Sequence, residues 1–542
     1  MPAFVGHHGR TVGLVTMLTI LVSVFGYLRD ASLAARFGVS ATMDAYFGAI
    51  FVPSNLYLIL VVGTLSPVFI PILLQEDASD DRSRVSETFS VVMNFILLVM
   101  IAAVTCGVVT AHRWLPLLFP GFDRVTSALA VRLIYIILPA IVFLALTGIF
   151  TAVLNAYHKF ALAAFAPALS SVAIISAALL VRGERAIYGV GIATTIGFMF
   201  QCFLLLPAVA RLGVGYRPIF NFRHPAIAQL LRLGGPLLLY LALGTVSLLV
   251  ERNLASRLSA GAVSAITYAI RLFAVPSGFL TAPLAIVSYP HFAREAVRRE
   301  RGDLRNQISR TLRMVMFLFL PITIWVVLNA LPVTRLLYER GQFRTQDSVL
   351  ISRILMLYGI GILPNAIAMI LIRGFYAIQD TLTPLVAESI NLAFYTITAT
   401  WLTSRFGIGG LAITRGLTFF LVAAIFGLVL WKRRGLLRVD LDLLRLCAQT
   451  AIATIAMATV SWLSLHLLQS TFDSGKMVLR LCVLGIVLIT SATAFLATAH
   501  FLRVGEAGHT LSLIRDLIGK NRRTRTGSSV DREFRTTSVE SQ

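Results

Sequence analysis

TILVSVFGYLRDASLAARFGVSATMDAYFGAIFVPSNLYLILVVGTLSPVFIPIL, residues 19–73, is almost wholly apolar, yet Arg29, Asp30 and Asp44 sit inside it. A charge at the centre of a membrane helix costs about 2.5–3.5 kcal/mol on insertion scales. A chain keeps such groups at bilayer depth only where they face a partner or a watery cavity. The stretch therefore reads as the first two spans of a transporter, with its charges turned inward.

The rest of the chain has the same character. Of 542 residues, 57% are hydrophobic and 13% charged, and the mean hydropathy is +0.83. Soluble domains carry about 25% charged residues, so this composition indicates a polytopic membrane protein. The formal charge of +22 would suggest nucleic acid in a soluble protein. Here the basic residues fall mostly between apolar runs, where the positive-inside rule accounts for them, and no nucleic-acid partner is expected. Cys106, Cys202, Cys447 and Cys482 lie within apolar runs without CxxC spacing and read as small packing residues. No cleavable signal peptide is expected, because His7, His8 and Arg10 precede a long span without a small-residue cleavage site.

Spanning takes about 20 apolar residues. Such runs fall near 11–36, 45–74, 88–111, 128–156, 160–181, 187–210, 227–250, 262–290, 311–332, 349–376, 383–404, 409–431, 446–469 and 478–502. They predict an all-α integral membrane fold of fourteen helices; the absence of period-two alternation excludes a β-barrel. An even count puts both termini on one side. The connection 291–310, with Arg294, Arg298, Arg299, Arg301, Arg305 and Arg310, shares that side, as does 432–445 with Lys432, Arg433, Arg434 and Arg438. Loops 37–44 and 469–477 are poor in Lys and Arg, so both termini are expected in the cytoplasm.

A shift of 221 residues superposes Leu33, Ala34 and Arg36 on Leu254, Ala255 and Arg257, Phe122 on Phe343, Arg132 on Arg353, and Ala156 on Ala377. A six-span unit repeated in one sense gives two lobes related by an axis along the membrane normal. The expected organisation is a lobe at 1–225, a second at 226–440, two extra helices at 441–505, and a cytoplasmic tail at 506–542. The tail is polar from 521 on and is expected to be partly disordered.

No HExxH motif, P-loop or glycine-rich nucleotide turn occurs, and the nine histidines are scattered. Neither an enzyme nor a cofactor nor a metal centre is expected; alternating access driven by a gradient fits better. The candidates for binding are the few charges within spans. Arg29 and Asp30 read as a mutually neutralising structural pair or as cavity-facing groups; adjacent side chains point about 100° apart around a helix, so they are expected to pair poorly with each other. Arg271, in TYAIRLFAVPSG, is a lone cation within a span, read as cavity-facing or snorkelling. Asp44 opens the second span, where a carboxylate also suits the helix dipole. Glu251 ends the seventh span and reads as interfacial or ion-coordinating. Glu388 and Asn391, at i and i+3, share a face that suits a cation or a neighbouring helix. Pro53, Pro71, Pro276, Pro283 and Pro290 interrupt long apolar runs and predict kinks.

FGYLRDASLAARFG (25–38) with MDAYFGAIFVPSNL (43–56) resembles the opening signature of the MviN/MurJ family of lipid II flippases, within the multidrug/oligosaccharidyl-lipid/polysaccharide exporter superfamily. PGF (120–122), VLNAYHKFALAAFAP (153–167), LLYERGQF (336–343) and RGFYAIQDTLTP (373–384) extend the resemblance across 10–505. It implies two six-helix lobes around a cationic cavity, whose arginines hold a lipid-linked diphosphate, and two C-terminal helices forming a groove for the lipid tail. Arg29 and Asp30 match the family's first-span pair, Asp44 the acidic residue opening the second span, and Arg271 the cavity arginine of the eighth. Ser23 stands in place of an arginine, Tyr57 and Leu58 in place of a basic pair, and Val62, before Gly63, in place of an acidic residue. Glu251 stands where the family often has an aspartate associated with a sodium site. The span-11 ligands of that site fall near Tyr395 and Ala399. Both the diphosphate clamp and the sodium site are thus depleted.

The resemblance implies a multi-pass protein of the bacterial inner membrane, flipping undecaprenyl-diphosphate-linked peptidoglycan precursor. Its partners are a lipid-linked saccharide diphosphate, membrane lipids and the cell-wall synthesis machinery. The alternatives are a paralogue flipping another lipid-linked oligosaccharide for exopolysaccharide or surface glycan, a cation-coupled exporter of small molecules, and a transport-dead scaffold.

Overall fold

In a hydrocarbon solvent every backbone polar group must be satisfied within its own segment, and the apolar runs accordingly fold as helices. The structure, a computed structural model, describes residues 2–59, 68–77, 82–298, 301–437, 441–469, 472 and 476–507, among which there is no strand. The expected tail beyond residue 507, Val62 and Gly63 of the second expected span, and Arg299 lie outside these residues.

The helices are α1 (Pro2–Phe37), α2 (Ala41–Tyr57), α3 (Ile70–Asp77), α4 (Arg82–Leu118), α5 (Arg124–Ile137), α6 (Ala140–Ala156), α7 (Phe160–Phe165), α8 (Pro167–Leu180), α9 (Ala186–Ala210) and α10 (Pro225–Ser256). They continue as α11 (Ala262–Pro276), α12 (Ala282–Val297), α13 (Arg301–Leu328), α14 (Ala330–Tyr338), α15 (Thr345–Gly359), α16 (Ile362–Ala377), α17 (Leu382–Phe406), α18 (Ile408–Leu428), α19 (Leu441–Leu467) and α20 (Met477–Phe501). Among the described residues nine helical stretches are long and apolar enough to cross a bilayer, or eleven if each of two broken pairs counts once. Three of the fourteen expected spans fall outside that number. The run 45–74 passes through residues outside the description. The run 262–290 is broken at Pro276, after which Ser277–Thr281 forms a π-turn. The third, α17, is long enough but is less apolar, carrying Glu388, Asn391 and a row of threonines.

One broken pair is α5 with α6, bent by 43° at Leu138–Pro139; the other, α15 with α16, begins 221 residues later. Each ends in the same way. His158 after α6 and Gln379 after α16, again 221 residues apart, both adopt positive φ, at 58° and 59°. The local structure thus recurs at the offset at which the sequence repeats.

Packing divides the chain into two compact units. The first comprises Met1–Ala274, Val333–Tyr358 and Thr381–Val422. In it α1 packs on α8, α2 on α5, α9 on α6 and α8, and α10 on α17. Ser40 caps α2 by accepting the Met43 N–H at 3.3 Å, and Asp123 caps α5 by accepting that of Thr126 at 2.9 Å. An aromatic core of Phe47, Tyr268, Tyr338 and Phe343 fixes α11 between α2 and the loop after α14, with ring centroids 5.1–5.9 Å apart. In that loop the Gln342 N–H donates to Ala35 O at 2.8 Å. Gly341, at φ +61°, lies so close that a Cβ would stand 2.2 Å from the same carbonyl. Only glycine meets both demands, which gives the RGQF sequence its physical reason.

The second unit comprises Val275–Pro332, Gly359–Asp380 and Ala423–Gln542. Its core joins α13, α19 and α20: Phe317 meets Phe495 at 5.1 Å, amid Leu446, Ala453, Met457 and Ala499. Asn329 donates to Ser461 at 2.9 Å, tying the end of α13 to α19. On the opposite sides of α19 and α20, Ile452, Ile455, Trp462, Leu488 and Ile489 are exposed. Large apolar surfaces of this kind mark a membrane rather than an aqueous boundary.

Candidate functional site

Asp30 lies on α1, one turn before the buried Leu33 and Ala34, and is itself 4% exposed. Arg29 donates to Asp30 Oδ1 through Nε at 2.9 Å and Nη2 at 2.8 Å. The expectation that these neighbours pair poorly is therefore corrected, and the reading of a neutralising pair holds. The 100° between adjacent side chains constrains Cβ directions, whereas arginine's three methylenes carry its planar fork around the helix to the carboxylate. Arg271, reaching in from α11, places Nε 3.5 Å from the other oxygen, Oδ2. Two guanidinium groups thus share one carboxylate, leaving the cluster with a net positive charge. Their side chains stay 22% and 50% exposed, so donors remain available around a buried anion. Arg29 from α1 and Arg271 from α11 thus meet at Asp30.

Asp44 is spent differently. Its Oδ2 accepts the Gly261 N–H and its Oδ1 the Ser264 N–H, each at 2.7 Å. The carboxylate begins α2 in sequence but caps α11 in space. A free helix start exposes unpaired N–H groups and the positive end of the helix dipole, and a buried anion satisfies both. Asp44 thereby positions the helix that carries Arg271. Arg252 on α10 holds the same helix from another side, donating to Val263 O at 2.8 Å and to the Thr267 hydroxyl.

Glu251 is fully buried. Its Oε2 accepts Arg415 Nη2 at 2.7 Å, and its Oε1 accepts the Tyr358 hydroxyl. The Arg415 guanidinium also lies over Tyr395, with Cζ 4.2 Å from the ring centroid. On α17, Asn391 Nδ2 donates to Glu388 Oε1 at 3.2 Å, so these two do share a face. Tyr358 and Arg415 are not singled out by the sequence, and Arg252 stands out there only as the neighbour of Glu251 at the end of the seventh span. Arg415, in LAITRGLTFF, carried the signal that singled out Arg271, a lone arginine within an apolar run. The two tyrosine and arginine partners of Glu251 lie 107 and 164 residues away in sequence and share no motif with it.

A family model described as "Lipid II flippase MurJ" matches residues 33–483. The chain belongs to the MurJ family. Among curated MurJ relatives, the "Lipid II flippase MurJ" of Burkholderia cenocepacia is 29% identical over 465 residues, covering 83% of this chain and 88% of the relative. The "Probable lipid II flippase MurJ" of Rhizobium meliloti is 28% identical over 544 residues, covering 96% and 97%. Among solved structures, a "Lipid II flippase MurJ, inward closed conformation" aligns with a TM-score of 0.76 at 22% identity, covering 93% of this chain and 99% of that one. An inward-facing multidrug resistance MATE transporter of the MOP superfamily aligns at 0.64 and 12% identity, covering 78% and 97%. At these identities the structural likenesses establish the fold alone: this MurJ-family chain shares the all-α fold of these two structures.

Proposed function

We propose that this chain is a lipid II flippase, carrying the undecaprenyl-diphosphate-linked peptidoglycan precursor from the cytoplasmic to the periplasmic leaflet of a bacterial inner membrane by alternating access. The observation that carries the reading is the pair of partly exposed guanidinium groups gathered on Asp30. A diphosphate offers planar guanidinium forks several anionic oxygens at once, and the contact gains strength in a space of low dielectric. Asp30 holds the forks together between cycles and gives them up to the stronger anion. The relatives' names support lipid II; a paralogue carrying another lipid-linked oligosaccharide is not favoured.

Fourteen spans with cytoplasmic termini, and six-helix lobes at 1–225 and 226–440, complete the proposal, supported by the recurrence of the broken helix pairs. The apolar outer surfaces of α19 and α20 suit them to receive the polyprenyl tail. A cysteine at Val125 should then react with a membrane-impermeant reagent in intact cells, and one at Asn306 should not; any other pattern defeats the topology. The deciding experiment is complementation of a strain depleted of its lipid II flippase, with flipping of labelled lipid II measured in vesicles. Growth and flipping are expected. Failure of the well-expressed protein in both assays overturns the assignment.

A further inference from the structure

The family resemblance implies a sodium site built on Glu251 and on α17 positions 395 and 399. The side chains of this chain do not fit a metal ion there. A hard cation is held by a shell of oxygens. Both Glu251 oxygens are already engaged, by Arg415 Nη2 at 2.7 Å and by the Tyr358 hydroxyl. On α17, Tyr395 presents its ring face to the guanidinium and brings one neutral hydroxyl, and Ala399 brings no side-chain oxygen, so α17 offers no carboxylate at these positions. An ion approaching the carboxylate would meet a fixed positive charge at hydrogen-bonding distance from it, in a setting where screening is weakest.

That charge is sealed in. The Glu251 and Arg415 side chains are 0% and 9% exposed. One turn beyond Arg415, Phe419 stacks on Phe273 with centroids 5.3 Å apart, and Phe273 in turn meets Tyr358 at 6.0 Å. Residues of α11, α15 and α18 thus close over the pair. The buried side-chain oxygens on α10 and α17 without a hydrogen-bond partner include Ser247 Oγ, one turn before Glu251, Asn391 Oδ1, one turn before Tyr395, and the hydroxyl of Tyr395 itself.

We propose that Arg415 is a tethered counter-cation: its guanidinium takes the place of a metal ion beside Glu251, so that this protein works without sodium. Removing the side chain while keeping the carboxylate would leave a buried anion, with unpaired oxygens of Ser247, Asn391 and Tyr395 on the two helices, α10 and α17. This is a setting that recruits a small cation. The metal-binding claim stands apart from the lipid II assignment; only its consequence for transport rests on that reading.

The test is the melting temperature of the purified full chain in lipid nanodiscs, in sodium chloride against choline chloride at equal ionic strength. The unaltered protein should melt at the same temperature in both, and so should Arg415→Lys, which retains a cation. Arg415→Ala should gain roughly 2 °C or more in sodium, and Glu251→Gln/Arg415→Ala should lose that response, because the anion is gone. A sodium-specific rise in the unaltered protein overturns the proposal, as does a folded Arg415→Ala that ignores sodium. If Arg415→Ala cannot be recovered, radiolabelled sodium binding decides. Binding to the unaltered protein no greater than to Glu251→Gln upholds the proposal, and greater binding overturns it. None of these measurements requires lipid substrate, so their outcome is independent of whether the protein flips lipid II.

Discussion

The two carboxylate–arginine clusters of the first unit are built from the same groups and differ in access. At Asp30, one buried carboxylate serves two arginines whose side chains are 22% and 50% exposed. At Glu251, one buried carboxylate is matched by one buried arginine and a tyrosine hydroxyl, with aromatic rings closing over them. The first has more donors than its anion can use and leaves them reachable. The second is balanced and shut. A surplus of exposed donors is what anion capture requires, whereas a matched, dehydrated pair holds helices in register and offers an incoming ion nothing.

The contrast can be broken most severely at the sealed cluster. Glu251→Ala leaves the Arg415 guanidinium buried without its anion, a loss of about 3–5 kcal/mol. It should appear as a large fall in melting temperature and in membrane yield. Glu251→Met/Arg415→Leu should recover most of that loss, because a buried pair exchanged for apolar groups of similar volume is often neutral. If the double replacement is as unstable as the single one, the pair contributes more than charge balance.

The open cluster should respond in activity rather than stability. Arg29→Ala and Arg271→Ala each remove a charged hydrogen-bond donor worth about 1.5–3 kcal/mol, equivalent to roughly ten- to a hundredfold in flipping rate at matched expression. Wild-type rates in both variants would remove the arginines from the substrate site. A smaller loss is expected for Arg271→Lys, which keeps the charge and gives up the planar fork. Equal rates for Arg271→Lys and the unaltered protein would reduce Arg271 to a point charge.

Asp44→Ala should cost less stability than Glu251→Ala, about 0.5–2 kcal/mol for a lost helix cap. Its consequence for transport should resemble that of the Arg271 variants, since α11 loses the anchor at its start. A fall in melting temperature without a change in flipping would separate the cap from the arginine it is held to position.

How much of this was legible in the chain follows from the range of the forces involved. Membrane embedding, the all-α class and the unusual charges were readable because insertion energy sums over about 20 neighbouring residues. A lone arginine in an apolar run is visible within that window, and the MurJ motifs added the family. The pairing of Arg29 with Asp30 was misjudged from Cβ geometry, because side-chain reach is not written in helical periodicity. Asp44 looked like a dipole partner of its own helix, whereas its acceptors serve backbone groups 217 and 220 residues further on. Glu251 looked open to an ion because Arg415, 164 residues away, could not be known to reach it. Sequence thus determined which groups pay for being in the membrane; only the tertiary structure decided with whom. Hydropathy is a sum over neighbours, but the partner of a buried charge is chosen by packing between distant helices, where burial and reach together leave one arrangement that satisfies both groups.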